Sequence, residues 1–314
     1  MSHASSIPQI EAGQFISRKY NVLIDTDIGD DIDDALALAL ALCSSEIELL
    51  GVATVFGDTQ RRAHLAAHIL EVFRHKPIPV AAGQQMPLLF RHRPSGVPQA
   101  AILDPCTSKA MFSPFSAPEL IIHAALEHHG NITLFCLGPL TNIATALMIE
   151  PRLFLAIKNI VMIGGTTGFP FPEWNMRSDA QAAKIVLASG VPITLLGWNV
   201  TMRCQLRESD IEKLHYQNSP QTRLLSQLLA IWQRHRPRWQ PRLPFLHDPL
   251  AIVAFCAPEL FQFEVITARM FTHGFFKGCM LPRILDGPLV YGAIDVKHEQ
   301  AREWIMQRLL NSAT

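Results

Sequence analysis

The chain reads as an α/β protein with a mostly parallel central sheet and helices on both faces. Three observations predict this. Short apolar runs alternate with helix-like stretches over the first two-thirds of the sequence. Hydrophobic residues make up 49% of the 314 residues and charged residues only 17%, enough for a substantial core. The densest polar feature, Asp25-Thr26-Asp27-Ile28-Gly29-Asp30-Asp31-Ile32-Asp33-Asp34, directly follows an apolar run. Open α/β sheets place their ligands at such strand ends.

Taken in order, Tyr20 to Ile24 reads as a buried strand. Ala35 to Leu42 alternates Ala and Leu, a period of two, yet it predicts a helix. Both residues are strong helix formers, and Asp33 and Asp34 suit a helix N-terminus. A helix apolar on every side is a buried one. Ile47 to Phe56 is a second strand, Arg61 to Arg74 a helix, and Ile78 to Ala82 a short strand. Residues 84–115 are irregular and Pro-rich, long enough to suggest a functional loop. Ser116 caps a helix to His129, Ile132 to Cys136 is a strand, and Asn142 to Ile149 is a helix. Asn159 to Ile163 is a strand ending in Gly164-Gly165, Ala180 to Ala188 a helix, and Ile193 to Leu196 a strand. Right-handed crossovers would put the strand-end loops on one rim.

Beyond Gly197 the sequence turns helical. An amphipathic segment opens at Ser219-Pro220 and stops before Pro237; residues 248–256 form an apolar helix. Strands are expected near 263–267 and 289–296, with a closing helix from Glu299 to Leu310. No repeat or low-complexity linker interrupts this, so residues 20–314 read as one domain behind a loose polar leader, 1–19.

Composition excludes several functions. Lys+Arg and Asp+Glu balance at 27 each, so no global charge favours nucleic acid or an anionic membrane. No apolar run reaches the roughly 18–20 residues of a membrane span, and the N-terminus lacks a signal-peptide pattern. Cys43, Cys106, Cys136, Cys204, Cys256 and Cys279 are scattered without a CxxC pair. They read as reduced thiols of a cytoplasmic protein, not as a zinc site.

From Tyr20 to Gln60 no Lys, Arg or His offsets the acidic turn. Unpaired carboxylates at a buried strand end lose several kcal/mol of solvation, so water or a cation must answer them. Oxygen ligands at this density suit Ca²⁺ or Mg²⁺. Two weaker signals follow: Glu173-Trp174-Asn175 on a loop, and His247-Asp248-Pro249 at the start of an apolar helix.

In this order the segments resemble the inosine–uridine-preferring nucleoside hydrolase family, from about Tyr20 to the C-terminus. The family's Asp-x-Asp…Asp-Asp-Ala turn is similar to Asp25, Asp27, Asp33, Asp34 and Ala35. Its central strand and helix resemble Ile132 to Ala144, its Met-Gly-Gly strand end Met162-Ile163-Gly164-Gly165, and its last two elements Glu173-Trp174-Asn175 and His247-Asp248-Pro249. The resemblance implies a Rossmann-like nucleoside-hydrolase fold and a small-molecule ribonucleoside as partner. It implies Ca²⁺ held by Asp27, Asp34, Asp248 and the Leu137 carbonyl, with Asp33 as general base and His247 as acid to the leaving base. Glu173, Asn175 and Asp58 would hold ribose hydroxyls, and His92 loosely matches a family His-Gly pair. Relatives commonly form homo-oligomers.

The departures bear on substrate. Ile28 replaces the usual Pro, and the turn carries two extra residues, so Asp30 or Asp31 could replace Asp33 as base. Asp58 stands where many relatives have Asn. The loop before Glu173, Gly168-Phe169-Pro170-Phe171-Pro172, lacks the Asn that often contacts the 5′-hydroxyl. The run Arg234 to Arg242 is either a solvated basic loop or a cover in which Trp239 stacks the base and arginines meet a 5′-phosphate. Two other functions stay open. Strand-Asp-x-Asp also opens haloacid-dehalogenase-like phosphatases, although Ile28-Gly29 lacks their hydroxyl residue; and a catalytically inactive riboside-binding protein would keep the same metal site.

Overall fold

The structure, a computed structural model, describes residues 19–73, 76–89, 96–103 and 112–311. His92, Cys106 and, apart from Lys19, the expected leader lie outside them. Strands are Tyr20–Thr26 (β1), Ile47–Thr54 (β2), Val80–Ala82 (β3), Ile132–Cys136 (β4), Asn159–Ile163 (β5), Ile193–Leu196 (β6), Phe261–Met270 (β7), Met280–Pro282 (β8) and Leu289–Val296 (β9). Among the described residues they form one sheet, ordered β3-β2-β1-β4-β5-β6-β9-β7-β8. From β3 to β9 every neighbouring pair is parallel; β7 runs antiparallel to β9 and β8 antiparallel to β7.

Alternation along β1 assigns each side chain to a face. Val22 and Ile24 join an apolar core with Leu36, Leu65, Leu228, Leu250 and Ile305, supplied by the helices Asp33–Leu42, Thr59–Phe73, Pro220–His235, Pro249–Cys256 and His298–Asn311. Leu23 enters the opposite core with Ile121, Ile143 and Val186, from the helices Ala117–Glu127, Thr141–Ile149 and Ala180–Leu187. Each fully buried Leu or Ile here contributes about 1.5–3 kcal/mol. The Ala/Leu stretch is the expected helix, buried on all sides from Asp33 to Ala41. Ser116 caps its helix as expected: its N–H and Oγ donate to the Glu119 carboxylate at 2.8 and 2.7 Å.

Boundaries differ where polar residues are buried. β1 runs past Ile24 through Asp25 and Thr26. Asp25 is wholly buried, accepts from Asn142 Nδ2 at 2.7 Å, and burial pushes its pKa up to about 8. A carboxyl kept neutral at pH 7 can continue a central strand. The helix Glu208–Gln217 and the short β8 have no counterpart in the sequence reading.

Candidate active site

β1 connects onward to β2 and β4 to β5, on opposite sides of the β1–β4 pair. The winding reverses there, and the crossovers diverge to leave a crevice at the strand C-termini. Asp27 follows β1 into this crevice and Leu137-Gly138 follows β4. The two strand ends touch: Leu137 N–H donates to the Asp25 carbonyl at 2.8 Å. A Cβ on Gly138 would lie 2.7 Å from Asp27 Oδ1, so only glycine permits this approach.

The helix Asp33–Leu42 begins here, with Asp33 and Asp34 in its first turn and both buried. Thr26 Oγ1 donates to Asp34 and accepts from Ile28 N–H at 3.1 Å, fixing the turn to the strand. From the second half of the chain, Asp248 heads the helix Pro249–Cys256 and is also buried. Asp33, Asp34 and Asp248 bring carboxylate oxygens within 4.8 Å of one another. Asp248 N–H points to Asp33 Oδ2 at 3.4 Å.

Burial holds the pKa values of Asp27, Asp33 and Asp248 well above the usual carboxylate range, and mutual repulsion adds to it. Asp34 is pushed up to about 6, burial again leading and the Thr26 hydrogen bond opposing. Carboxyls so placed keep protons unless a cation displaces them. An all-oxygen, buried, mutually repelling donor set fits a hard divalent cation.

The other expected residues are placed unevenly. Asp27 lies outside the 4.8 Å trio, which contains Asp33 instead. The Leu137 carbonyl accepts from Asn175 Nδ2 at 2.7 Å, and the same amide reaches Ile163 O at 3.2 Å, so Asn175 ties two strand ends. Glu173 is buried and caps the helix Trp174–Ser178, accepting from the N–H groups of Gly165, Asn175 and Met176 at 3.0, 3.0 and 3.2 Å. Asp58, half-buried, accepts from Arg61 N–H at 3.0 Å. His247 Nδ1 lies 2.7 Å from Thr201 Oγ1, and burial lowers its pKa to about 4. Trp239 is 82% exposed, and Arg236 donates to the Gln240 carbonyl at 2.6 Å within its own loop. That loop is a solvated one.

Arg62 escaped the sequence reading. It lies two residues past the window without basic residues, is fully buried, and donates to carbonyls of the acidic turn. Helical periodicity offered a signal, because Arg62 falls on the same buried face as Thr59, Ala63, Ala66 and Leu70.

The inosine-uridine preferring nucleoside hydrolase family matches residues 22–303. The chain is 30% identical to uridine nucleosidase 1 of Arabidopsis thaliana over 86% of its own length and 83% of that protein's. It is 35% identical to the pyrimidine-specific ribonucleoside hydrolase RihA of Photobacterium profundum, over 76% and 81%. Among solved structures, a plant nucleoside hydrolase superposes with a TM-score of 0.83 at 27% identity, covering 93% of this chain and 99% of that one. The phosphatase reading falls with these matches. The protein is a hydrolase acting on N-glycosyl compounds, and it belongs to the inosine-uridine preferring nucleoside hydrolase family.

Proposed function

We propose that the chain hydrolyses the N-glycosidic bond of a ribonucleoside in a calcium-dependent reaction, giving free base and ribose. The observation that carries this reading is the buried Asp33, Asp34 and Asp248 trio, assembled from both halves of the chain at the sheet's switch point. Asp27, Asp34, Asp248 and the Leu137 carbonyl would hold the ion. Bound there, calcium supplies orientation for the ribose hydroxyls and acidification of a water.

The protein's own groups do the rest. Cleavage passes through a ribosyl cation, which nearby carboxylates stabilise as positive charge develops. Asp33 accepts the proton of the attacking water. A second assignment has one specific support: Asp33, not Asp27, lies with Asp34 and Asp248, so Asp33 could serve the ion and Asp27 the water. His247 delivers a proton to the leaving base, with its ring set by Thr201. Because the buried ring resists protonation, that proton must be acquired with substrate in place. Glu173, Asn175 and Asp58 would hold the ribose hydroxyls.

Uridine and other pyrimidine ribosides are the proposed substrates, since the relatives at 30–35% identity are named for them. Residues 20–314 act as one catalytic domain, because Asp248 completes a cluster begun at β1. A homo-oligomer in the cytoplasm completes the reading. Cys136, Cys204, Cys256 and Cys279 are free thiols, and no helix among the described residues is long and apolar enough to cross a membrane. The test is release of uracil from uridine, with inosine compared, in calcium and in chelator. Full activity in chelator with no bound divalent ion by elemental analysis would overturn the calcium dependence.

A further inference from the structure

We infer that Arg62 is a positioning residue of the cation site: its guanidinium clamps the acidic turn and thereby sets the affinity for calcium. The inference rests on the calcium reading above and adds a residue outside the ligand set.

The geometry is specific. Arg62 stands on the helix Thr59–Phe73, the crossover after β2, and is fully buried. Nη1 donates to the carbonyls of Asp27 and Ile28, the latter at 2.8 Å. Nη2 meets Asp30 Oδ2 at 3.0 Å. Nε donates to the Phe56 carbonyl at 2.7 Å. One planar fork therefore joins the loop after β1 to the loop after β2, and these loops frame the crevice. Phe56 needs such a partner, because at φ 67° it occupies a left-handed conformation unfavourable for a bulky residue.

The turn it grips has no stiffening of its own. Five residues, Ile28 to Ile32, separate Asp27 from Asp33, and none is a proline. A turn of this length without proline has conformations to lose on closing over an ion. Arg62 fixes the two consecutive carbonyls of Asp27 and Ile28 and, through Asp30, anchors the next stretch of the turn. Its charge, permanent under all ordinary conditions, also opposes the repulsion among Asp27 and Asp34. A lysine would keep the charge but lacks the fork, since an ammonium cannot hold these acceptors in one plane.

The test is isothermal titration of Ca²⁺ into chelator-stripped full-length protein, with thermal unfolding followed in parallel, for wild type, Arg62→Lys, Arg62→Met, Asp30→Asn and Arg62→Lys/Asp30→Asn. Residues that orient metal ligands from outside typically cost about 10–100-fold in metal affinity when replaced. We expect that loss for Arg62→Lys, a smaller loss for Asp30→Asn, and a double variant no worse than Arg62→Lys alone. Arg62→Lys binding calcium like wild type would overturn the clamp and leave only a counter-ion. A lowered unfolding temperature with unchanged calcium affinity would overturn it in favour of a purely structural role. If Arg62→Met fails to fold, Arg62→Lys and Asp30→Asn decide the matter. Wild type that binds no calcium would sink the underlying metal reading instead, so the two failures are distinct.

Discussion

Among the described residues, two places bury acidic side chains in the first turn of a helix, and the chain treats them differently. In the helix Glu208–Gln217, Asp210 is fully buried beneath Arg302, whose Nη1 lies 2.8 Å from both carboxylate oxygens; Arg207 N–H adds a bond at 2.9 Å. At Asp33–Leu42, by contrast, Asp33 and Asp34 meet a third carboxyl, Asp248, and burial with mutual repulsion raises the pKa of all three. A buried acid matched by a guanidinium is part of the scaffold. A cluster of acids facing each other stores a demand for positive charge, and that demand is what binding a cation satisfies.

The largest effects should separate the two places. Asp34→Ala is expected to lower kcat/KM for uridine by more than about 10³-fold while leaving the calcium-free fold no less stable, because it removes repulsion. Asp210→Ala should do the reverse. It takes the bidentate partner from buried Arg302, which keeps only the more exposed Glu299 and Glu303, a loss of at most about 3–5 kcal/mol, with kcat/KM near wild type in the protein that remains folded. Denaturant unfolding and initial-rate kinetics on both variants check this; a stability loss for Asp34→Ala equal to that of Asp210→Ala would erase the distinction.

In the proposed mechanism, one carboxylate of the cluster works as base. Asp33→Asn should cut kcat by about 10²–10⁴-fold, the usual worth of a positioned base, while calcium still binds. Should Asp33→Asn instead lose calcium and Asp27→Asn keep it, the two aspartates exchange roles. Calcium titration beside single-turnover kinetics reads the outcome.

His247→Ala comes next. It should slow uridine about 10²-fold or more and spare nitrophenyl riboside, whose leaving group needs no proton. Equal slowing of both substrates would make His247 a positioning group held by Thr201.

Calcium-free protein should also respond to pH through its buried carboxyls. Asp25 and Asp34 have folded pKa values of about 8 and about 6 against an ordinary 3.8, and Asp27, Asp33 and Asp248 lie well above it. The folded state then binds protons that the unfolded chain has released, so stability falls as pH rises from about 4. His247 has the opposite sign: its share is present above 6.5 and lost as pH falls toward about 4. Between pH 6.5 and 8 the carboxyls act alone. The unfolding temperature in chelator should decline across that window, and saturating calcium should flatten the slope by favouring the ionised carboxylates. Calorimetry with and without the ion measures both.

What could be read from the sequence follows the same physics. The parallel strands were legible because apolar runs bounded by turns have few other fates, and the acidic turn because six like charges cannot share a buried loop unanswered. Three features were not. β1 continues through Asp25, since a neutral carboxyl hidden in a strand looks like a surface charge on paper. The helix Glu208–Gln217 exposes most of its charged residues and buries only Asp210 and Leu214, leaving almost no apolar stripe to detect. Arg62 was passed over because arginine is rarely buried, though its position on the apolar face of its helix marks it.

The smallest effect concerns a region that looked functional by charge alone. Four arginines and Trp239 lie between Arg234 and Arg242, a composition suited to a phosphate and a stacked base. In the structure Trp239 is 82% exposed, Arg234 Nε donates to the Ala230 carbonyl at 3.1 Å, and Arg236 folds back on the Gln240 and Pro237 carbonyls. These guanidiniums serve their own helix end and loop, where positive charge also complements the last carbonyls of Pro220–His235. Unlike the aspartate cluster, none of these charged side chains is fully buried, so no charge here demands a ligand. Trp239→Ala and Arg236→Ala/Arg238→Ala should therefore change kcat/KM for uridine by less than about twofold, within the range of neutral surface substitutions. Uridine monophosphate should be turned over no better than uridine at low or high salt. A salt-sensitive preference for the monophosphate, lost in Arg236→Ala/Arg238→Ala, would show that the loop closes over substrate and would give the molecule a second charged site.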